Sequence, residues 1–219
     1  MCLILPTSYV FDKSHPFRLS PSLPANDLHF DWIDRDHPDR ESIEHFISEV
    51  FRNRFGAEVQ YFSDVLVGSR DAGGQWNSAV GLSSIAQRPA FLEQYLDRPV
   101  EQIISVMQTD DPHRHPVART DIVEFGNLAA TRPGIARALI LHLAPFLRAR
   151  NVRWIVFTGV QSLFNSFAKL NYQPIVIAPA DPQRLNATQD LWGSYYDASP
   201  KVMYGDVDAA YASLFQSSH

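Results

Sequence analysis

Thr120-Asp121-Ile122-Val123-Glu124-Phe125-Gly126-Asn127-Leu128-Ala129-Ala130-Thr131-Arg132-Pro133-Gly134-Ile135-Ala136 decides how the rest of the chain is read. Its first half is rich in β-branched and aromatic residues, which suit a pleated, half-buried strand. Gly126 interrupts that strand where glycine marks a bulge or the close approach of another backbone or ligand. Beyond it, Leu139, Ile140, Leu143, Phe146 and Leu147 recur at helical spacing. A helix that starts among small residues presents unpaired N–H groups and a positive dipole end. Gly134 and Ala136 are small enough to let a pyrophosphate or phosphopantetheine reach them.

Downstream the helix ends near Arg148, Arg150 and Asn151, and Val152 to Thr158 reads as a buried strand. Gly159 turns the chain, Ser162 to Leu170 forms a short helix, and Pro174 to Ala178 a further strand. Strand, anion-binding turn, helix, strand, helix and strand thus follow one another from Ile122 to Ile177, a compact α/β unit.

Upstream, Leu28 to Ile33 alternates as a first strand. Ile43, Phe46, Ile47, Val50 and Phe51 make an amphipathic helix from Arg40, with Asp39 as N-cap and Gly56 as terminator. Arg52 and Arg54 sit in its last turn, where the helix dipole favours them. Asp64 to Arg70 and Trp76 to Ser83 read as a hairpin closed by Asp71-Ala72-Gly73-Gly74-Gln75. Arg88 to Leu96 forms an apolar stripe or lid, and Pro99 to Gln108 a short helix. The prolines at 6, 16, 21 and 24 make residues 1–24 an arm. After Ala178, Val202 to Val207 adds an edge strand and Ala209 to Phe215 a final helical segment.

At 219 residues the chain suits one large domain. We take residues 25–219 as that domain, with its core over 28–178 and a C-terminal extension over 179–219. Hydrophobic residues at 45% and charged ones at 20% place it among globular proteins. A net charge of −5 without a dense basic run gives a nucleic-acid partner no electrostatic support. Cys2 is the only cysteine, which excludes an internal disulfide and points to a reducing, cytoplasmic location. No apolar run reaches about 18 residues, so no membrane-spanning helix is expected. His113 and His115 beside Asp110 and Asp111 could hold a cation, but without a helix-spaced partner they read as a solvated loop, and no metal is expected.

Phe167-Ala168-Lys169-Leu170-Asn171-Tyr172 is similar to the phrase with which the GNAT acyltransferase superfamily ends its last core helix. Phe91 to Leu96, Glu124 to Ala129, Phe157-Thr158 and Trp192-Gly193-Ser194-Tyr195-Tyr196 resemble recurring phrases of the thermostable hemolysins, with a more distant likeness to the acyl-homoserine-lactone synthases. The resemblance implies an α/β (α+β) fold, a GNAT-like mixed central sheet flanked by helices. It also implies an N-acyltransferase that moves an acyl chain from a thioester to the amine of a small metabolite or amino acid. Acyl-CoA or acyl-phosphopantetheine would be co-substrate, with an acyl carrier protein as a donor partner and no tightly bound cofactor.

On that resemblance Glu124 is the candidate base, read otherwise as a half-exposed strand glutamate. Asn127 either donates to substrate or oxyanion, or satisfies the bulge at Gly126. Leu128, Ala129, Arg132, Gly134, Ile135, Ala136 and Asn165 would grip the thioester. Arg52, Phe125, Gly126, Thr158 and Phe167 would contact substrate. Two departures stand out: Phe167 replaces the tyrosine that in many GNAT enzymes protonates the leaving thiol, and Thr131 replaces the usual glutamine or arginine, with Arg132 one place later. They motivate another reading, a thioester-binding module without catalysis. The hemolysin name suggests a membrane-active protein, for which neither an apolar helix nor a closed barrel is apparent. Trp192, Tyr195 and Tyr196 suit a buried cap or acceptor recognition.

Overall fold

A computed structural model describes residues 29–108, 116–185 and 190–215. The residue 1–24 arm, Leu28, His113 and His115 lie outside the described residues. The elements are β1 (Phe30–Ile33), α1 (Arg40–Phe55), β2 (Val65–Arg70), β3 (Trp76–Ser84), α2 (Val100–Met107), β4 (Ile122–Ala130), α3 (Pro133–Ala149), β5 (Trp154–Gly159), α4 (Gln161–Ala168), β6 (Ile175–Pro179), β7 (Lys201–Asp206) and α5 (Val207–Phe215). The strands form one seven-stranded sheet in the order β1-β2-β3-β4-β5-β7-β6. Every neighbouring pair is antiparallel except β4 and β5. This is the expected GNAT-like mixed sheet.

Period-two alternation divides the core between two faces. Ile33, Leu66 and Ala79 pack against Ile43 and Ile47 of α1. Val67, Val80, Leu82 and Phe157 point the other way, against Leu139, Leu143 and Phe146 of α3. α1 ends as expected at Gly56, whose φ of 68° glycine adopts without strain, and whose N–H donates to Arg52 O at 2.8 Å. Asp39 occupies the N-cap position but its side chain makes no cap. Its carboxylate is drawn to Arg70 at 3.0 Å, an ion pair that competes with capping.

The expected stripe at Arg88 to Leu96 forms a short 3-10 helix, Phe91–Tyr95. Arg119 ties it down by pairing with Glu93 at 2.8 Å and Glu101 at 2.6 Å.

The final strand corrects the expectation of an edge. β7 lies between β5 and β6, with Val202 and Tyr204 buried on one face and Met203 on the other, and β6 is the edge. The segment read as an extension therefore completes the sheet. Strand pairing over this distance leaves no local signal, since a buried strand looks alike whichever neighbour it finds.

Candidate functional site

The parallel ladder between β4 and β5 joins Ile122 through Phe125 to Trp154 through Phe157, and stops there. β4 continues to Ala130 and β5 to Gly159, so the two strands part beside Gly126. The cause lies on the other edge of β4, where Ala79 pairs with Ala129 and Gly81 with Gly126, setting Asn127 and Leu128 opposite the single residue Val80. That extra residue is a β-bulge, which bends its strand.

The bulge falls one residue later than expected, because Asn127 rather than Gly126 takes the left-handed conformation, at φ 50°. Asparagine tolerates this region when its short side chain bonds locally. The Asn127 Oδ1 accepts from Ser63 N at 3.0 Å and Ser63 Oγ at 3.2 Å, and its Nδ2 donates to Tyr61 O at 2.9 Å. Its amide is thus occupied in pinning the 61–63 segment over the bulge, the second of the two readings drawn for it. Gly81 makes that fit: a Cβ there would stand 2.3 Å from Ser63 Oγ.

A cavity of about 1030 Å3 runs through the parting. Leu139, Ile140, Leu143, Phe157, Leu163 and Phe167 wall it on the α3 side. Phe51, Phe55, Phe91, Trp192 and Tyr195 wall the other end. Gly193 puts the last two there. At φ 50°, with a would-be Cβ 2.1 Å from Phe55 O, it lets the 192–196 segment lie directly on the end of α1, where Ser194 N donates to Phe55 O at 2.8 Å. The segment is cap and cavity wall at once.

Glu124 shares the face of β4 that looks toward the 3-10 helix. Its Oε2 accepts from Phe91 N at 2.9 Å and its Oε1 from Leu92 N at 3.0 Å. Burial pushes its carboxyl above the usual glutamate range; the two N–H bonds and the charge of Arg88 pull the other way without overcoming it. A carboxyl so raised, on a cavity wall, can take up and give back a proton closer to neutral pH than a free glutamate can. The rim beside it is held by Asp64, which accepts from Arg35 at 2.9 Å and also pairs with Arg88. Buried Arg40 donates to Ser63 O at 2.7 Å and Asp64 O at 3.2 Å.

Thr158 lies where β5 leaves the ladder, and its Oγ1 is a buried hydroxyl with no hydrogen-bond partner among the described residues. Buried polar groups are ordinarily paired, which sets this hydroxyl on the cavity wall apart. Phe167 is buried 5.3 Å from the Phe157 ring and supplies no hydroxyl to the cavity. Tyr172, close by, donates to Asp206 O at 3.1 Å and does not line the cavity.

Of the remaining sequence candidates, Phe125, Gly126, Leu128, Arg132 and Ala136 line the cavity. Ala129, Gly134, Ile135, Asn165 and Arg52 do not. Ala129 falls on the far side of the bulge, in the α1 core, and Ile135 turns into the core beneath α3. Asn165 accepts from Gln161 on the outer face of α4. Arg52 is off the cavity, and the arginine of the last turn of α1 that lines it is Arg54, two residues on and so about 200° round the helix. Sequence reasoning missed Arg54 as a site residue, together with Phe51, Phe55 and Ser63. The signal was the pair Phe51 and Phe55, one helical turn apart at the end of the apolar stripe.

Solved structures share the fold. The acyl-homoserine-lactone synthase LasI superposes with a TM-score of 0.56 at 9% identity, covering 86% of this chain and 95% of its own. FeeM, an N-acyl amino acid synthase from uncultured soil microbes, gives 0.53 at 9% identity, covering 86% and 97%. TofI in an apo form gives 0.51 at 18% identity, covering 85% and 95%. At such identities the likeness establishes the fold. No curated protein matches the sequence. The thermostable hemolysin family model matches residues 33–211, from the end of β1 into α5, and this chain belongs to the thermostable hemolysin family.

Proposed function

We propose that the protein is an N-acyltransferase that moves an acyl chain from a thioester to the amine of a small molecule. The observation that carries this reading is the parting of β4 from β5 beside Gly126, with a cavity through it and Glu124 on its wall. A strand edge opened in this way can take an extended pantetheine arm in place of the missing strand. The start of α3, with Arg132 at the N-cap and Ala136 on the wall, favours the phosphate end of coenzyme A or of a carrier protein's phosphopantetheine. The apolar α3 side suits the acyl chain.

The chemistry requires a neutral amine. The amine reacts as the free base, its ammonium proton left to solvent; as the nitrogen attacks the thioester carbonyl, Glu124 as carboxylate takes one of its two N–H protons, and the C–S bond breaks as the tetrahedral intermediate collapses to the amide. The proton held by Glu124 is the one the thiolate needs, so a single carboxyl serves both steps and no tyrosine is required at Phe167. Thr158 Oγ1, without a partner among the described residues, would donate to the bound thioester.

Among the described residues no helix is long and apolar enough to cross a membrane. An acyl chain joined to a polar head is itself a detergent-like amphiphile, so lysis can follow from the product. The test is mass spectrometry of purified protein with acyl-CoA and acyl-carrier mixtures plus amine acceptors. An N-acyl amine formed only with thioester present is expected; no retained thioester and no acylated amine overturns the proposal. Dye release from liposomes by the protein alone would favour direct membrane attack instead.

A further inference from the structure

Five arginines line the cavity: 35, 40, 54, 88 and 132. Arg35 and Arg88 share Asp64, and Arg40 holds Glu44 at 2.5 Å. Arg54 and Arg132 have no carboxylate partner among the described residues. In a chain with 24 acidic and 19 basic residues an unpaired arginine on a cavity wall is not for lack of available acids. Arg132 stands at the start of α3, on the donor side. Arg54 stands at the opposite, aromatic end.

There the Arg54 Cζ lies 5.1 Å from the centre of the Phe55 ring, and Nη2 donates to Ser162 Oγ at 3.0 Å across the mouth. The guanidinium is positioned from both sides, while its other N–H groups donate to no protein atom among the described residues. The Phe55 ring meets Tyr195 edge-on at 5.2 Å, Tyr195 lies 5.5 Å from Trp192, and Trp192 lies 5.8 Å from Phe91. The Phe91 backbone N–H reaches Glu124. One continuous aromatic wall therefore runs from the free fork of Arg54 to the carboxylate of Glu124. Its cation at one end disfavours a purely cationic ligand, and its rings disfavour a small hydrophilic one.

We propose that the acceptor is an amine bearing both a carboxylate and a large apolar side chain, a hydrophobic or aromatic amino acid, with its carboxylate on Arg54. This rests on the acyl-transfer reading and names its acceptor. The planar fork of arginine matches a carboxylate with two parallel bonds. The side chain packs on Phe55, Trp192 and Tyr195, and the amino group, one carbon from the carboxylate, is presented to the cavity between Arg54 and Glu124. Arg54 is on this account a specificity-determining residue.

Product binding tests it without relying on turnover. N-dodecanoyl-phenylalanine, its methyl ester and N-dodecanoyl-glycine are titrated calorimetrically into the full chain, its Arg54→Gln and its Arg54→Lys variants. Wild type should bind the acid about tenfold or more tighter than the ester, the strength of a charge-assisted bond. Arg54→Gln should bind acid and ester alike, Arg54→Lys should retain part of the preference, and the glycine compound should bind wild type more weakly than the phenylalanine one. Equal affinity for acid and ester in wild type overturns the proposal, as does a preference that survives Arg54→Gln. If wild type acylates simple amines yet shows no acid preference, the acceptor assignment falls and acyl transfer stands. If the acid preference holds but no amine is ever acylated, acyl transfer falls and the carboxylate site stands. Binding of none of the three compounds overturns both.

Discussion

Glu124→Gln separates two roles that the geometry assigns to one carboxyl, because Glu124 both clasps the Phe91–Tyr95 helix and faces the cavity. Glutamine keeps one acceptor oxygen, so one of the two N–H bonds survives and the other N–H meets an NH2 group. Losing a bond to a charged acceptor costs about 1.5–3 kcal/mol. Relief of a buried negative charge offsets part of this, leaving a net loss of about 1–2 kcal/mol. For a chain of this size that lowers Tm by about 2–8 °C. Removing a general base lowers kcat/KM by about 10²–10⁴-fold. The assay is kcat/KM for N-acylation against pH, with Tm measured on the same samples.

The sign with pH follows from burial lifting the folded-state value. The ionised, active form is lost on acidification at a pH above the ordinary glutamate range, so the acidic limb of wild type lies there and is absent from the variant. The stability linkage runs oppositely. The contribution of Glu124 is fully present below its unfolded value and is lost as pH rises through the raised folded one. A variant with the lowered Tm but less than about fivefold loss of kcat/KM would refute the base and leave only the clasp. So would an acidic limb that persists in the variant.

Asn127→Gly keeps the left-handed backbone but loses the bonds to Tyr61 and Ser63, while Asn127→Ala loses both. Alanine should be the less stable by about 1 kcal/mol, read as a lower Tm; equal Tm values would refute the strained bulge. Gly193→Ala drives a methyl into Phe55 O and should cost about 2 kcal/mol or more, with a shift in tryptophan fluorescence as Trp192 leaves α1; an unaltered spectrum and Tm would contradict the close approach. Thr158→Val removes a buried unpaired hydroxyl and should hold or raise Tm while weakening thioester binding about three- to tenfold. A clear fall in Tm would show that the hydroxyl is already satisfied in the free protein.

The helical and strand periods of Ile122 to Ile177 were legible because they are local. Apolar residues recur at the spacing their own element demands, and small or terminating residues stand at the joints. The same holds for α1 and Gly56, and for the β2–β3 hairpin around Asp71. The cavity lining was legible where a residue's placement follows from its position on β4 or β5, as for Glu124, Phe125, Gly126 and Thr158, and at the start of α3 for Arg132 and Ala136. It was less so where the wall is assembled from remote parts. Arg54 rather than Arg52 reaches the cavity because the helix turns about 100° per residue. Which of the two borders the cavity depends on how α1 is rotated against the sheet.

By itself the sequence determined the order of elements, the mixed α/β character, and a strand interrupted just where a helix is about to begin. These follow from side-chain shape, backbone freedom and period, all set within a few residues. Only the tertiary structure decided that β7 enters between β5 and β6, that Asn127 carries the bulge, and that Trp192 and Tyr195 close the end of α1. Each of those depends on pairing or packing between segments far apart in the chain, where many partners satisfy the same local pattern and the close packing of the whole selects one.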